Sequence, residues 1–76
     1  MGAAVKATYS EGYQRFLERL RQARRDAKLT QAEVGRRLGA RQAFVSKVES
    51  GERRLDPVEL ARFAAVYGKT LEWFLG

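Results

Sequence analysis

The chain has 76 residues, of which 45% are hydrophobic and 32% are charged, and its formal net charge is +6. It has no cysteine and no histidine, which excludes disulfides and the usual zinc ligand sets, and no apolar run reaches the roughly 18 residues of a membrane span. Its single proline and its many Ala, Leu, Arg and Glu residues favour a small all-helical domain.

The first ten residues, MGAAVKATYS, are too short and too weakly apolar a segment for a secretory signal. We therefore expect a cytoplasmic protein that makes no membrane contact. A flexible segment is predicted over 1–10, and one folded domain is predicted over 11–76.

The first predicted helix begins at Glu11 and ends near Ala27. Its apolar residues recur at steps of three and four, which is typical of a helix with about 3.6 residues per turn. These residues are Tyr13, Phe16, Leu17, Leu20, Ala23 and Ala27. They form one stripe, which is predicted to face the core.

Two further helices are predicted next, joined by a short turn. Thr30 lies three residues before Glu33, the spacing of a capping box, and this predicts a helix over 31–38 that ends at Gly39. The following helical pattern covers about 42–50 and stops at the next glycine.

The fourth predicted helix has the strongest start signal in the chain. Asp56 is its cap, Pro57 takes the first helical position, and Glu59 completes a capping box. The residues predicted to point inward are Val58, Phe63 and Val66. Thr70 then caps a short fifth helix over 71–76.

The third predicted helix has a polar side and an apolar side when its residues are placed at about 100° intervals. The polar side carries Gln42, Ala43, Ser46, Lys47 and Ser50, the apolar side Phe44, Val45 and Val48, with Glu49 on the boundary. Glutamine can pair with adenine, lysine with guanine, and alanine with the methyl group of thymine, so the polar side suits a DNA major groove. The alternative is an ordinary solvated face. The two tightly joined helices and the flanking arginines favour DNA.

The charge is concentrated in the middle of the chain. Residues 15–54 hold twelve Lys/Arg against five Asp/Glu, whereas residues 55–76 carry a net charge of −1. This distribution indicates a polyanionic partner at one end of the domain and a protein partner at the other, unless the basic surface only interacts with solvent.

The stretch 29-LTQAEVGRRLGARQAFVSKVESGERR-54, with 20-LRQAR-24 before it and 71-LEWFL-75 after it, resembles the helix-turn-helix domain of phage repressors, the Cro/C1-type or XRE family. The similarity covers about residues 14–76. It implies a compact all-α domain of five helices like that of the lambda repressor, with the helix-turn-helix formed by the second and third helices.

The family resemblance also implies roles for individual residues. It implies base contacts from Gln42, Ala43, Ser46 and Lys47, and phosphate contacts from Gln31, Arg41, Arg53 and Arg54. Of the first group, Ser46 could contact either a base or the backbone. Arg24 and Glu49 match a partly buried ion pair that orients the third helix; the alternative is two unrelated surface charges.

Three positions depart from the family pattern. Gly35 replaces the usual alanine where the second and third helices meet, at a cost of roughly 1 kcal/mol in helix propensity. Arg41 stands where a capping Ser or Thr is common, so the start of the third helix is expected to be less firmly fixed. Phe44 is expected to pack inward and not to contact bases.

These features together predict a sequence-specific double-stranded DNA-binding regulator, most simply a repressor that binds a near-palindromic operator as a homodimer. The residues expected at the dimer surface are Trp73, Phe74 and Leu75, although each could instead close the core. The alternatives are an antitoxin or other protein-interaction module, with a partner such as a toxin, and nonspecific DNA coating. No enzyme, metal or cofactor is expected, because the chain has no His or Cys, no glycine-rich phosphate loop and no clustered carboxylates in a plausible cleft.

Overall fold

The computed structural model describes residues 10–76. Within this range the chain forms helices and no strand: α1 (Glu11–Asp26), α2 (Gln31–Leu38), α3 (Gln42–Ser50), α4 (Pro57–Tyr67) and α5 (Leu71–Leu75). The all-α architecture of five helices predicted from the sequence is confirmed. The flexible segment predicted over 1–10 lies, apart from Ser10, outside the described residues.

The helix starts are fixed by the predicted capping residues. At α2 the Glu33 amide donates to Thr30 Oγ1 (3.0 Å), and the Thr30 amide donates to Glu33 Oε1 (2.7 Å). Asp56 and Glu59 form the equivalent pair of hydrogen bonds at α4. Arg41, in contrast, precedes α3 without any side-chain cap. The start of α3 is therefore held by its surroundings and not by a local cap.

The capping hydrogen bonds predict how stability depends on pH. The hydrogen bonds to Thr30 hold the pKa of Glu33 below its ordinary value. The pKa of Glu59 is also lowered, chiefly by its hydrogen bond to Arg53 and then by the one to the Asp56 amide. The unfolded chain therefore binds protons more readily than the folded domain does below pH of about 4.3. The free energy of unfolding should fall as the pH is lowered from this value through the folded-state pKa values. Thermal unfolding between pH 2.5 and 6 should show a shallower decline in the Glu33→Gln/Glu59→Gln variant, and parallel curves would contradict this.

The core lies between α1 and the other four helices. Its buried residues are Phe16, Leu17, Leu20, Ala23, Val34, Leu38, Val45, Val48, Leu60, Phe63, Ala64, Tyr67 and Phe74. The predicted stripe of α1 is confirmed, with Tyr13 and Ala27 partly buried at its ends. Residues from all five helices thus share one apolar centre, which fixes how α3 is presented.

Two predictions about apolar residues need correction. Val58 was expected to point inward but is 72% exposed, because the inward stripe of α4 runs through Leu60, Phe63 and Tyr67, and Val58 lies on the opposite side of the helix. Phe74, expected at a dimer surface or in the core, is only 1% exposed and packs edge-on against the ring of Phe16. Phe74 therefore closes the core and offers no surface to a partner.

Candidate nucleic-acid interface

The turn between α2 and α3 is tight and depends on two glycines. Gly39 ends α2 with a φ of 71°, a left-handed conformation that glycine adopts without steric cost. The Ala40 amide then donates to the Gly35 carbonyl (2.8 Å). A Cβ atom on Gly35 would lie 2.9 Å from the Ala40 carbonyl oxygen, closer than real Cβ contacts allow. The departure from alanine at this position thus matches a close approach of the turn backbone at Ala40 and Arg41 to α2.

A buried carboxylate links α3 to α1 and α2. Glu49 is 4% exposed, and its Oε2 accepts a hydrogen bond from Arg24 Nε (2.7 Å). Its Oε1 accepts from Arg24 Nη2 (3.2 Å) and from Gln31 Nε2 (3.0 Å). Arg21 Nη1 donates to the Glu49 carbonyl (2.6 Å). We call Arg21, Arg24, Gln31 and Glu49 the Glu49 cluster; it fixes the C-terminal half of α3 against the rest of the domain.

The Glu49 cluster changes the protonation equilibria around it. The hydrogen bond to Glu49 raises the pKa of Arg24. Burial, followed by the negative charge of Glu49, raises the pKa of Tyr67. The structure brings Arg24 and Glu49 together as an ion pair. The contributions of Arg21 and of the Gln31 side chain were not predicted, because only the tertiary packing places them beside Glu49.

The outer face of α3 is polar and open to solvent. Gln42, Ala43, Ser46, Lys47 and Ser50 are all exposed. Val45, Val48 and Glu49 are buried, and Phe44 is half-buried with its ring centroid 6.0 Å from that of Phe63. The division of α3 predicted from its periodicity is present, except that Glu49 belongs fully to the inner side. The four predicted base-contacting residues lie together on the outer side.

Three cationic side chains surround one depression at the start of α3. Its volume is about 450 Å³, and Arg41, Lys47 and Arg53 line it together with Ala43 and Phe44. Arg53 also forms an ion pair with Glu59 of α4. Three cations against this one carboxylate leave the local charge positive, and Ala43 and Phe44 give the depression an apolar floor.

The other predicted phosphate-contacting residues, Gln31 and Arg54, lie in different environments. Arg54 places its guanidinium 4.3 Å from the ring centroid of Tyr13. Gln31 is at the first position of α2, where backbone N–H groups point outward and favour an anion. Arg36 and Arg37 are exposed on α2.

The residues predicted for a dimer surface have three different environments. Leu75 is 70% exposed, and Phe74 is buried. Trp73 is half-buried, with Lys69 Nζ 4.3 Å and the Arg19 guanidinium 5.5 Å from its ring centroid. The neighbouring Leu71 is 43% exposed. The apolar surface left for a partner therefore consists mainly of leucines.

No curated protein matches the chain at a significant level. None of the helices within 10–76 is long and apolar enough to cross a membrane. A family model described as helix-turn-helix matches residues 20–74, from the middle of α1 to α5 and including the tight turn between α2 and α3. With its two capped helices around the Gly39 turn and a match over most of its length, the chain belongs to the Cro/C1-type (XRE) helix-turn-helix family of DNA-binding transcription regulators.

Proposed function

We propose that this regulator is a repressor that recognises a specific sequence in double-stranded DNA and binds a near-palindromic operator as a homodimer. The observation that carries the proposal is the exposed face of α3, where four small or hydrogen-bonding side chains stand together. A face of this kind fits the major groove, where each base pair presents a distinct pattern of donors and acceptors.

Each residue of this face has a proposed partner. Gln42 pairs with adenine, Lys47 donates to the acceptors of guanine, and Ala43 meets a thymine methyl group. Ser46, between them, contacts a base or the adjacent backbone. The proposed phosphate contacts come from Gln31, Arg41, Arg53 and Arg54. These contacts fix the register of α3 in the groove and supply most of the affinity.

A homodimer supplies the specificity that one short helix lacks. Two copies related by a twofold axis would place their α3 helices in successive major grooves, about 34–36 Å apart. We propose Trp73 and Leu75, with Leu71, for the contact between copies. The net charge of −1 over residues 55–76 supports this choice, since the basic remainder of two copies would repel. The bound dimer represses by covering the promoter.

The first experiment is selection of binding sites from a random duplex pool with the full chain. An enriched near-palindrome, bound at two protein chains per duplex, is the expected result. The affinity for the selected site should also fall with salt, with a log–log slope of about −0.9 per neutralised phosphate. Absence of any enriched sequence, or a slope near zero, would overturn the proposal.

The uncapped start of α3 gives a prediction in which stability and DNA binding change in opposite directions. Arg41→Ser should provide the missing cap and stabilise the domain by about 0.5–2 kcal/mol. The same change should weaken binding to any duplex, because it removes a proposed phosphate contact. Thermal unfolding and duplex titration of the one variant test both parts, with Arg41→Ala as the control that loses the arginine without providing a cap. A variant that is more stable and binds equally well would remove Arg41 from the interface.

A second candidate function is an antitoxin or other protein-interaction module of the same fold. It is favoured by an apolar groove of about 420 Å³, lined by Phe16, Leu60, Leu71 and Leu75 among others. If this groove serves a different protein, Leu71→Ser/Leu75→Ser should leave the oligomeric state and operator affinity unchanged. A loss of both would favour the homodimer.

A further inference from the structure

Arg53, in the loop after α3, is held by three groups even though its side chain is 46% exposed. Its Nη2 donates to Glu59 Oε2 (2.7 Å), and its Nη1 donates to Glu59 Oε1 (3.1 Å). Nη1 also donates to the Arg54 carbonyl. The guanidinium carbon lies 5.2 Å from the ring centroid of Phe44. An exposed arginine side chain is normally free to move. The guanidinium of Arg53 is instead restrained at its end by Glu59 and the Arg54 carbonyl, and on one face by the Phe44 ring.

These contacts use only part of the guanidinium. An arginine has five N–H donors arranged along two usable edges. Glu59 takes the edge formed by Nη1 and Nη2, whereas the edge formed by Nε and the second hydrogen of Nη2 has no hydrogen-bond partner among residues 10–76. Such an edge matches two oxygens of a phosphate. Arg53 can therefore keep its ion pair and still bind the DNA backbone.

The support for Arg53 is itself rigid. Glu59 is the third residue of α4, and its Oε1 accepts a hydrogen bond from the Asp56 amide (3.0 Å) in the capping box. The carboxylate is thus fixed at a helix start, which packs on the core through Leu60 and Phe63. The same geometry lowers the pKa of Glu59, chiefly through Arg53, and raises that of Arg53.

We propose that Glu59 is a positioning residue for DNA binding, which holds Arg53 beside the depression lined by Arg41 and Lys47 with its free edge toward a backbone phosphate. This inference rests on the proposed phosphate contact of Arg53. The change in DNA affinity that it predicts for neutralising Glu59 is opposite to the change that simple electrostatics predicts. A carboxylate near the DNA backbone repels it, so simple electrostatics predicts tighter binding when Glu59 is neutralised. Positioning predicts weaker binding, because a free arginine must then be ordered on contact.

The test compares Glu59→Gln, Arg53→Ala and the double variant in duplex titrations followed by fluorescence anisotropy. The probes are the duplex chosen by site selection and an unrelated duplex of equal length, since a phosphate contact operates on both. We expect Glu59→Gln to bind about threefold to tenfold more weakly. Arg53→Ala should reduce the salt slope by about 0.9. Glu59→Gln should have no further effect in the Arg53→Ala background.

Glu33→Gln is the matched control. Like Glu59, Glu33 is the third residue of its helix and closes a capping box, and its replacement by Gln also removes one negative charge. Its side chain, however, accepts from the Thr30 amide and forms no ion pair with any residue of 10–76. It should bind DNA as well as the original chain or more tightly. Thermal unfolding of every variant, before titration, ensures that only folded protein is compared.

The outcomes separate the inference from the function on which it rests. Equal or tighter binding by Glu59→Gln, an equal loss in Glu33→Gln, or an undiminished loss in the Arg53→Ala background would each overturn positioning by Glu59. Unchanged affinity and salt slope in Arg53→Ala would overturn the phosphate contact as well. Failure of site selection alone would leave the backbone contact and its positioning residue testable on the unrelated duplex.

Discussion

Arg24→Ala is expected to destabilise the domain by about 3 kcal/mol or more, because it leaves the carboxylate of Glu49 buried without its charged partner. Gln31 and the backbone cannot replace a guanidinium that donates to both carboxylate oxygens. In a domain of this size each kcal/mol corresponds to about 4–8 °C, so the midpoint of thermal unfolding should fall by more than about 10 °C.

The neighbouring arginine provides the control. Arg25 is exposed and donates only to the Gln22 side chain, so Arg25→Ala should change stability by about 0.5 kcal/mol at most. Replacing both members of the pair, as in Arg24→Met/Glu49→Leu, should recover much of the loss, since no buried charge is left unpaired. Urea unfolding measures all three variants. A cost below about 1 kcal/mol for Arg24→Ala would mean that the pair behaves as a surface ion pair.

Gln42→Ala and Lys47→Ala should each weaken binding to the selected operator by roughly 10- to 100-fold, in line with about 1–3 kcal/mol per good base contact. The base preference should relax at a different position in each variant, because the two side chains lie five residues apart on α3. Binding to an unrelated duplex should fall much less, and only for the lysine variant through its lost charge.

Lys28→Ala serves as the matched control for charge, since Lys28 is exposed in the loop before α2 and is not among the residues proposed to contact DNA. It should leave base preference unaltered. Titrations of the operator and the unrelated duplex at one salt concentration show whether each variant loses affinity for the operator alone or for both duplexes. Equal losses on both duplexes would favour nonspecific coating of DNA over direct recognition of bases.

The fold was predictable because its signals are local. Thr30 with Glu33, and Asp56 with Glu59, mark helix starts within three residues, and the structure contains the corresponding hydrogen bonds. The third helix has no such cap, but its apolar period and the glycines around it sufficed to place it. The stripe of α1 likewise needed only a count of residues per turn.

The details that escaped prediction depend on contacts between distant residues. Nothing near Gln31 or Arg21 in the sequence indicates that both reach Glu49, 18 and 28 residues away. The pairing of Arg24 with Glu49 came from family resemblance and not from the helix period. Lys28 adopts a positive φ of 59°. The sequence does not predict this, because the left-handed conformation is rare for lysine. Val58 was misplaced because an apolar residue in the first turn of a helix need not share its inward stripe.

The Glu49 cluster has a consequence for the genetics of this protein. One carboxylate joins α1, α2 and α3, so losing its partners would loosen the DNA-binding face and the core in the same event. Mutants selected for activity at low but not at high temperature should therefore concentrate at residues 21, 24, 31 and 49. Substitutions on the outer face of α3 should instead give defects that are equally severe at every temperature.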